Sequence, residues 1–306
     1  MTEIPHPPTL PEAGMVREAH ARARAWSGLF RLPLRQQSWR GMAGEYSGQG
    51  TGSSLDFQDH RAYAPGDDPR HINWQAYART GNYSMKLFRE EVRPVIDLVW
   101  EVSASMWFDP VKARRSAELM AFTVEGSLRA GASPQVWLSR GPWLAPVPPE
   151  AAVAGQWTGL LPAEESSAPA PPMTVPSMDR VPWRAKSLRI LISDLLFPGS
   201  PEALAGSLSS RQGRGLILAP FCQAEADPGW DGNIDFHDVE SGSRHPRRVE
   251  PGLLKRYTEA YGRHFELWKT ACRRHGVVLA RVPAEPAFPQ ALQLEALPLG
   301  AVEPWA

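Results

Sequence analysis

Apolar runs and amphipathic stretches take turns along this 306-residue chain. Residues 95–102, Val95-Ile96-Asp97-Leu98-Val99-Trp100-Glu101-Val102, are nearly all apolar, the pattern of a strand buried on both faces that ends at Ser103. Before it, residues 83–89 alternate apolar and polar side chains as a half-buried strand does. After it, Asp109-Pro110 opens a helix in which Val111, Leu119, Met120, Phe122, Val124 and Leu128 supply the apolar stripe and Gly131 supplies the stop. Strands are expected at 135–139, 187–194, 215–221 and 276–282, and helices at 201–210, 250–275 and close to the C-terminus. A hairpin over 234–249 turns at Ser241-Gly242. Strands alternating with helices predict an α/β protein, with a mostly parallel sheet covered by helices on both faces.

Composition divides the chain. Residues 1–11 are Pro-rich and read as loose, and 12–26 as a modest Arg-rich helix that frays, so 1–40 form an N-terminal tail. Residues 41–93 read as a small β-rich subdomain to which the late hairpin, 233–249, also contributes. The sheet domain takes 94–300, interrupted at 140–186 by an irregular segment dense in Pro, Ala and Ser, with room for one helix at 150–161.

Lys plus Arg and Asp plus Glu number 33 each, so the formal net charge is zero and nothing global points to nucleic acid or an anionic membrane. Cys222 and Cys272 are too few and too far apart for a disulfide framework, and with no apolar run near ~20 residues the expectation is a cytoplasmic protein without a membrane span.

The densest set of unusual residues is Arg61-Ala-Tyr63-Ala-Pro65-Gly66-Asp67-Asp68-Pro69-Arg70-His71-Ile72-Asn73-Trp74. Pro65-Gly66 presets a tight turn, and Asp68-Pro69 reads as an N-cap followed by Pro at the first helical position. Arg61, Arg70 and Arg79 stand near enough to neutralise Asp67 and Asp68. The run resembles the signature of the bacterial family known as domain of unknown function 58. Gly48, Gly50, Leu55 and Phe57 match that family's preceding Gly-rich strand, and Ala78-Arg79, Phe88 and Glu90-Glu91 match its next helix end and strand. Asn73 departs from it, because the family usually has Asp there. The resemblance is close over 44–105 and beyond that rests on the order of elements. The residue types also suit a buried network of ion pairs and aromatic rings that docks the N-terminal strands on the sheet.

A second candidate site is Glu101-Val102-Ser103-Ala104-Ser105-Met106, at the carboxyl end of the first strand of the main sheet, where ligands bind in doubly wound folds. It is similar to the first loop of a von Willebrand factor A domain, whose Asp-x-Ser-x-Ser holds a divalent cation, and the resemblance implies a Rossmann-type fold with Asp194 as the second acidic position. Glu101 replaces the first Asp, and its extra methylene moves the carboxylate by about 1.5 Å. Mg²⁺ wants oxygens near ~2.0–2.1 Å, so it is expected to bind no tighter than millimolar. The alternative is that Ser103 and Ser105 merely satisfy backbone groups at the turn. Thr158 and Thr174 are candidates for a third loop without supporting context.

Other features carry less. Gly48-Gln49-Gly50-Thr51-Gly52-Ser53-Ser54 lacks the Lys of a phosphate loop and reads as a flexible turn. His60 and His71 have no partner at metal-ligand spacing, and the basic run from Arg244 through Arg247, Arg248 and Lys255 to Arg274 has acidic residues interleaved and reads as a solvated face. The expectation is a non-enzymatic adaptor with no cofactor beyond weakly held Mg²⁺. The family resemblance implies a MoxR-type AAA+ ATPase as partner, in a chaperone-like or maturation role toward a client the sequence does not name. The competing reading is a metal-dependent hydrolase or nucleotide-binding enzyme using Glu101 and Asp194.

Overall fold

The computed structural model describes residues 11–34, 46–51, 57–161, 175–240 and 243–305. Helix α1 (Ala13–Trp26) and the short strand β1 (Phe30–Arg31) come first, then β2 (Tyr46–Thr51), β3 (Phe57–Ala62), α2 (Trp74–Thr80) and β4 (Ser84–Val92). Next are β5 (Val95–Glu101), α3 (Pro110–Arg129), β6 (Ser133–Arg140), β7 (Trp143–Val147) and α4 (Pro149–Ala154). Then come β8 (Leu188–Ile192), α5 (Pro201–Ser209), β9 (Arg214–Phe221) and α6 (Gln223–Ala226). The chain closes with β10 (Gly232–His237), β11 (Arg244–Val249), α7 (Pro251–His275), β12 (Val278–Pro283), α8 (Phe288–Leu294) and β13 (Glu303–Pro304).

These elements form two compact units, one from residues up to 33, 95–130 and 134 onward, the other from 34–94 with 131–133. The first is a mixed α/β unit around a six-stranded, mostly parallel sheet of order β12-β9-β8-β5-β6-β7. β12, β9, β8 and β5 pair parallel in sequence, and β7 pairs antiparallel with β6 at the edge. Every residue of β8 is buried, and so are all but the first of β5, as the apolar runs require. From β5 the chain moves through α3 to β6 on one side, and from β8 through α5 to β9 on the other. The carboxyl ends of the adjacent strands β5 and β8 therefore flank the point where the winding reverses, the place where a doubly wound fold has its crevice.

Local chemistry sets the helices. Asp109 accepts hydrogen bonds from the Val111 and Lys112 amides at 2.8 and 2.9 Å, with Pro110 as the first helical residue of α3. In α7 a stripe of Tyr261, Phe265, Trp268 and Cys272 enters the core, and Gly276 closes the helix at φ +64°. The buried Arg189 guanidinium donates to the Ser207 and Leu208 carbonyls at 2.7 and 3.4 Å, where the dipole of α5 favours a cation. Beside it Arg184 pairs with the buried Asp97 at 2.6 Å.

Several expectations are corrected. The N-terminal helix is not frayed: α1 packs against α3 through buried Val16, Ala19 and Ala23. The stripe is made largely of alanines, which is why it looked weak in the sequence. The segment 140–186 is more regular than its composition implies, holding β7, the shorter helix α4 and a fully buried Trp157 whose ring lies 5.4 Å from Trp100 and 6.0 Å from Trp107. Its Pro-rich part at 162–174, with Thr174, lies outside the described residues, as do residues 1–10 and the turn at Ser241-Gly242. The hairpin β10-β11 groups with the main-sheet unit instead of joining the signature strands. β1 pairs antiparallel with β13, an association of distant two-residue segments with no local signal.

In the second unit β2 and β3 flank β4 in an antiparallel sheet. Tyr46–Thr51 is strand, so the Gly-rich run there is no flexible turn; Gly52, Ser53, Ser54 and Leu55 lie outside the described residues. Ile72 is buried and bridges to Met85 of β4. Gly66 sits at φ +105°, which side chains rarely adopt. Gly66→Ala is therefore expected to destabilise this unit by about 1 kcal/mol or more, read as a lower urea midpoint; an unchanged midpoint would mean the turn relaxes freely.

Candidate functional site

The loop after β5 and the end of β8 bring Glu101, Ser103, Ser105 and Asp194 into the crevice of the main-sheet unit. Glu101 is buried, and both its oxygens are engaged: the Ser103 hydroxyl donates to one and the Ser193 hydroxyl to the other, the latter at 2.5 Å. Ser103 and Ser105 hydroxyls lie 3.0 Å apart, and the Ser105 amide donates to Glu240 of the β10-β11 hairpin at 2.8 Å. The expectation that the serines satisfy the turn's backbone is corrected: the Ser103 hydroxyl makes no cap bond and serves a carboxyl group instead. Burial pushes the Glu101 carboxyl up to about 8, the Asp194 charge adds to this, and the two serine hydroxyls pull the other way. Glu101 is consequently harder to ionise than a free carboxyl.

Asp194 has a partner the sequence did not reveal. The Lys112 ammonium, fully buried on the first turn of α3, sits 2.7 Å from Asp194 and 2.6 Å from Glu225. Burial opposes this charge, but the two carboxylates outweigh it and raise the Lys112 pKa above its ordinary value. The Phe108 ring, 5.7 Å away, covers another side of the ammonium. Asp194 also accepts from the Leu196 amide at 3.0 Å. Glu225 is fixed by a capping box on α6, where its second oxygen accepts from the Cys222 amide at 2.8 Å, and Tyr257 donates to its backbone carbonyl at 2.8 Å. Cys222 itself is inert, because burial and the nearby Asp109 push its thiol pKa up.

A divalent cation does not fit these side chains as they stand. Asp194 is paired with a fixed ammonium that would repel a metal at hydrogen-bond range, and both oxygens of Glu101 are engaged by serine hydroxyls. Among the described residues no three His, Cys, Asp or Glu side chains are placed to hold a metal. Thr158 starts a short 3-10 turn, Thr158–Leu160.

The signature turn of the second unit is held by two Arg–Asp pairs whose guanidinium groups are exposed. Arg61 grips Asp67 with both terminal nitrogens at 2.7 and 2.5 Å, and Asp67 also accepts from the Ala64 amide at 2.8 Å. Arg70 grips Asp68 through Nε and Nη2, while Asp68 caps the turn Pro69–His71 by accepting from the Arg70 amide. Both pairs are exposed, and Arg79, exposed as well, joins neither. Asn73 caps α2 by accepting from the Ala76 amide at 3.1 Å and lies 3.3 Å from His60. An uncharged Asn does this as well as the family's Asp. Pro65 precedes Gly66 on the exposed side of the turn. Tyr77 stacks on Tyr83 at 4.4 Å, Trp74 meets both edge-on, and Tyr63 lies 6.0 Å from Tyr83.

The family model described as Protein of unknown function DUF58 matches residues 59–265, about two thirds of the chain. This chain belongs to the DUF58 family. No curated protein and no solved structure gives a match. The DUF58 match spans the signature turn, the crevice loop, Lys112, Asp194, Glu225 and Glu240. Lys112, Ser193, Glu225 and Glu240 are the site residues that sequence reasoning missed. One signal was available: a Lys in the first turn of a helix opposes the dipole, so it calls for a carboxylate nearby.

Proposed function

We propose that this DUF58 protein is a non-enzymatic protein–protein interaction module with a von Willebrand A-like sheet, whose crevice at the ends of β5 and β8 docks a partner without a bridging metal. The Lys112 ammonium between Asp194 and Glu225 carries the reading, because it neutralises the acidic positions from within. The resemblance to the family supplies the partner, a MoxR-type AAA+ ATPase. Among the described residues no helix is long and apolar enough to cross a membrane.

One observation favours the enzymatic alternative. A buried carboxyl whose ionisation burial opposes, as that of Glu101 is, suits a general acid. Two measurements separate the readings. Ser105→Arg, a change at the partly exposed rim of the crevice, is expected to weaken association with the ATPase at least about tenfold, ~1.4 kcal/mol, with unchanged thermal unfolding. The purified protein is expected to hydrolyse neither nucleotides nor phosphoesters. Turnover that Glu101→Gln abolishes would establish the hydrolase instead.

A further inference from the structure

The hairpin β10-β11 and the start of α7 enclose an apolar cavity of about 270 Å³ lined by Trp230, Phe236, Leu253, Leu254 and Tyr257, with Arg247 at its wall. The aromatic rings are fixed by one another: Trp230 meets Phe236 and Tyr257 at 4.9 Å each. The volume suits one large apolar side chain. Arg247 also borders a second, shallower depression of about 370 Å³ on the same hairpin, where Arg248 and the carboxylate of Asp235 are among the lining groups.

The strand beside the cavity is unusual. Arg244, His245, Pro246, Arg247 and Arg248 of β11 are all exposed, and only Val249 is buried. Arg244 and Arg247 have no ion-pair partner among the described residues, and Arg248 reaches Glu250 only at 3.8 Å between two exposed side chains. Pairing with β10 occupies one edge of β11, and β11 is the outer strand of this two-stranded sheet. Two features thus coincide at Arg247: a guanidinium with no ion pair among the described residues, and an apolar hole of side-chain size beside it, whereas Arg244 and Arg248 alternate to the other face of the hairpin, where Asp235 stands. Their complement is a chain that carries both acidic groups and one apolar anchor.

We infer that the β10-β11 hairpin binds an acidic peptide segment of a partner protein, which inserts one aromatic or large aliphatic side chain into the Trp230–Phe236–Tyr257 cavity and sets a carboxylate on Arg247 at its wall. A nucleic acid would find the same positive charge, but the rings pack edge to face inside a concavity and offer no open platform for stacking. The surface does not depend on the crevice reading. Both are nonetheless mechanically linked, because Glu240 of the same hairpin holds the Ser105 amide.

The test is fluorescence anisotropy of the full chain with labelled peptides Asp-Glu-X-Glu-Asp-Glu, in which X is Phe, Trp, Leu or Ala, and with a single-stranded DNA oligonucleotide. At least one peptide with an apolar X is expected to bind, with affinity about tenfold above the Ala peptide. Arg247→Glu is expected to weaken that binding at least tenfold, and Leu253→Gln to remove the preference for an apolar X. Both positions are at least partly exposed, so circular dichroism should be unchanged. Failure of every peptide to bind at millimolar concentration would overturn the proposal. So would peptide binding indifferent to X, or DNA binding tighter than any peptide.

Discussion

Lys112→Met is expected to destabilise the main-sheet unit by about 3–5 kcal/mol, because it leaves Asp194 and Glu225 charged, buried and without their counter-ion. The loss reflects stranded charge more than lost packing, since Met nearly matches the Lys stem. Stranded charge has two effects that simple core disruption would not produce. Lowering the pH should restore part of the stability, as Glu225, whose carboxyl burial already makes harder to ionise, takes up a proton. Combining Lys112→Met with Asp194→Asn and Glu225→Gln should recover most of the loss, giving strong non-additivity in urea unfolding at pH 7. If the single and triple variants are equally unstable, the ammonium is not the keystone of the crevice.

Glu101→Gln is expected to stabilise the protein under mildly alkaline conditions. The native carboxyl, held at about 8, keeps a proton that the unfolded chain releases near its ordinary 4.5. Between those values the native state binds more protons, so this group's contribution to stability is full below about 4.5 and is lost as pH rises through about 8. The slope is at most ~1.4 kcal/mol per pH unit, which over this window amounts to a few kcal/mol. Gln imitates the protonated form, so the variant should show a flatter profile and exceed the wild type at pH 8 to 9. His20 works in the opposite direction. Burial lowers it to about 4, so its contribution is present above 6.5 and lost as pH falls through about 4. The difference between wild type and Glu101→Gln isolates Glu101 from that background. Equal profiles would mean that Glu101 is ionised in the native state.

Much of the sheet was legible because β5, β8 and β9 are apolar runs whose only plausible home is a covered parallel sheet. Asp109-Pro110 and Gly131 mark the ends of α3 through local chemistry that operates within a few residues. What stayed hidden depends on distance in sequence. Phe30 pairs with Pro304, and Lys112 reaches across to Asp194 and Glu225, contacts that no local pattern encodes. The crevice was found through Glu101, Ser103, Ser105 and Asp194, yet its electrostatics were misjudged while the charge at its centre was unknown. At the signature turn the ion pairs of Asp67 and Asp68 were anticipated from their neighbours.

The central claim is that the ammonium of Lys112 occupies the place of a metal in this crevice, and its own nitrogen resonance tests it. With lysine labelled at ¹⁵Nζ, the signal absent from Lys112→Arg is expected to be that of a charged, slowly exchanging ammonium. It should neither shift with excess Mg²⁺ nor broaden with substoichiometric Mn²⁺. Saturable broadening by Mn²⁺, or displacement of the signal by Mg²⁺, would place a divalent cation beside Asp194 and contradict the account.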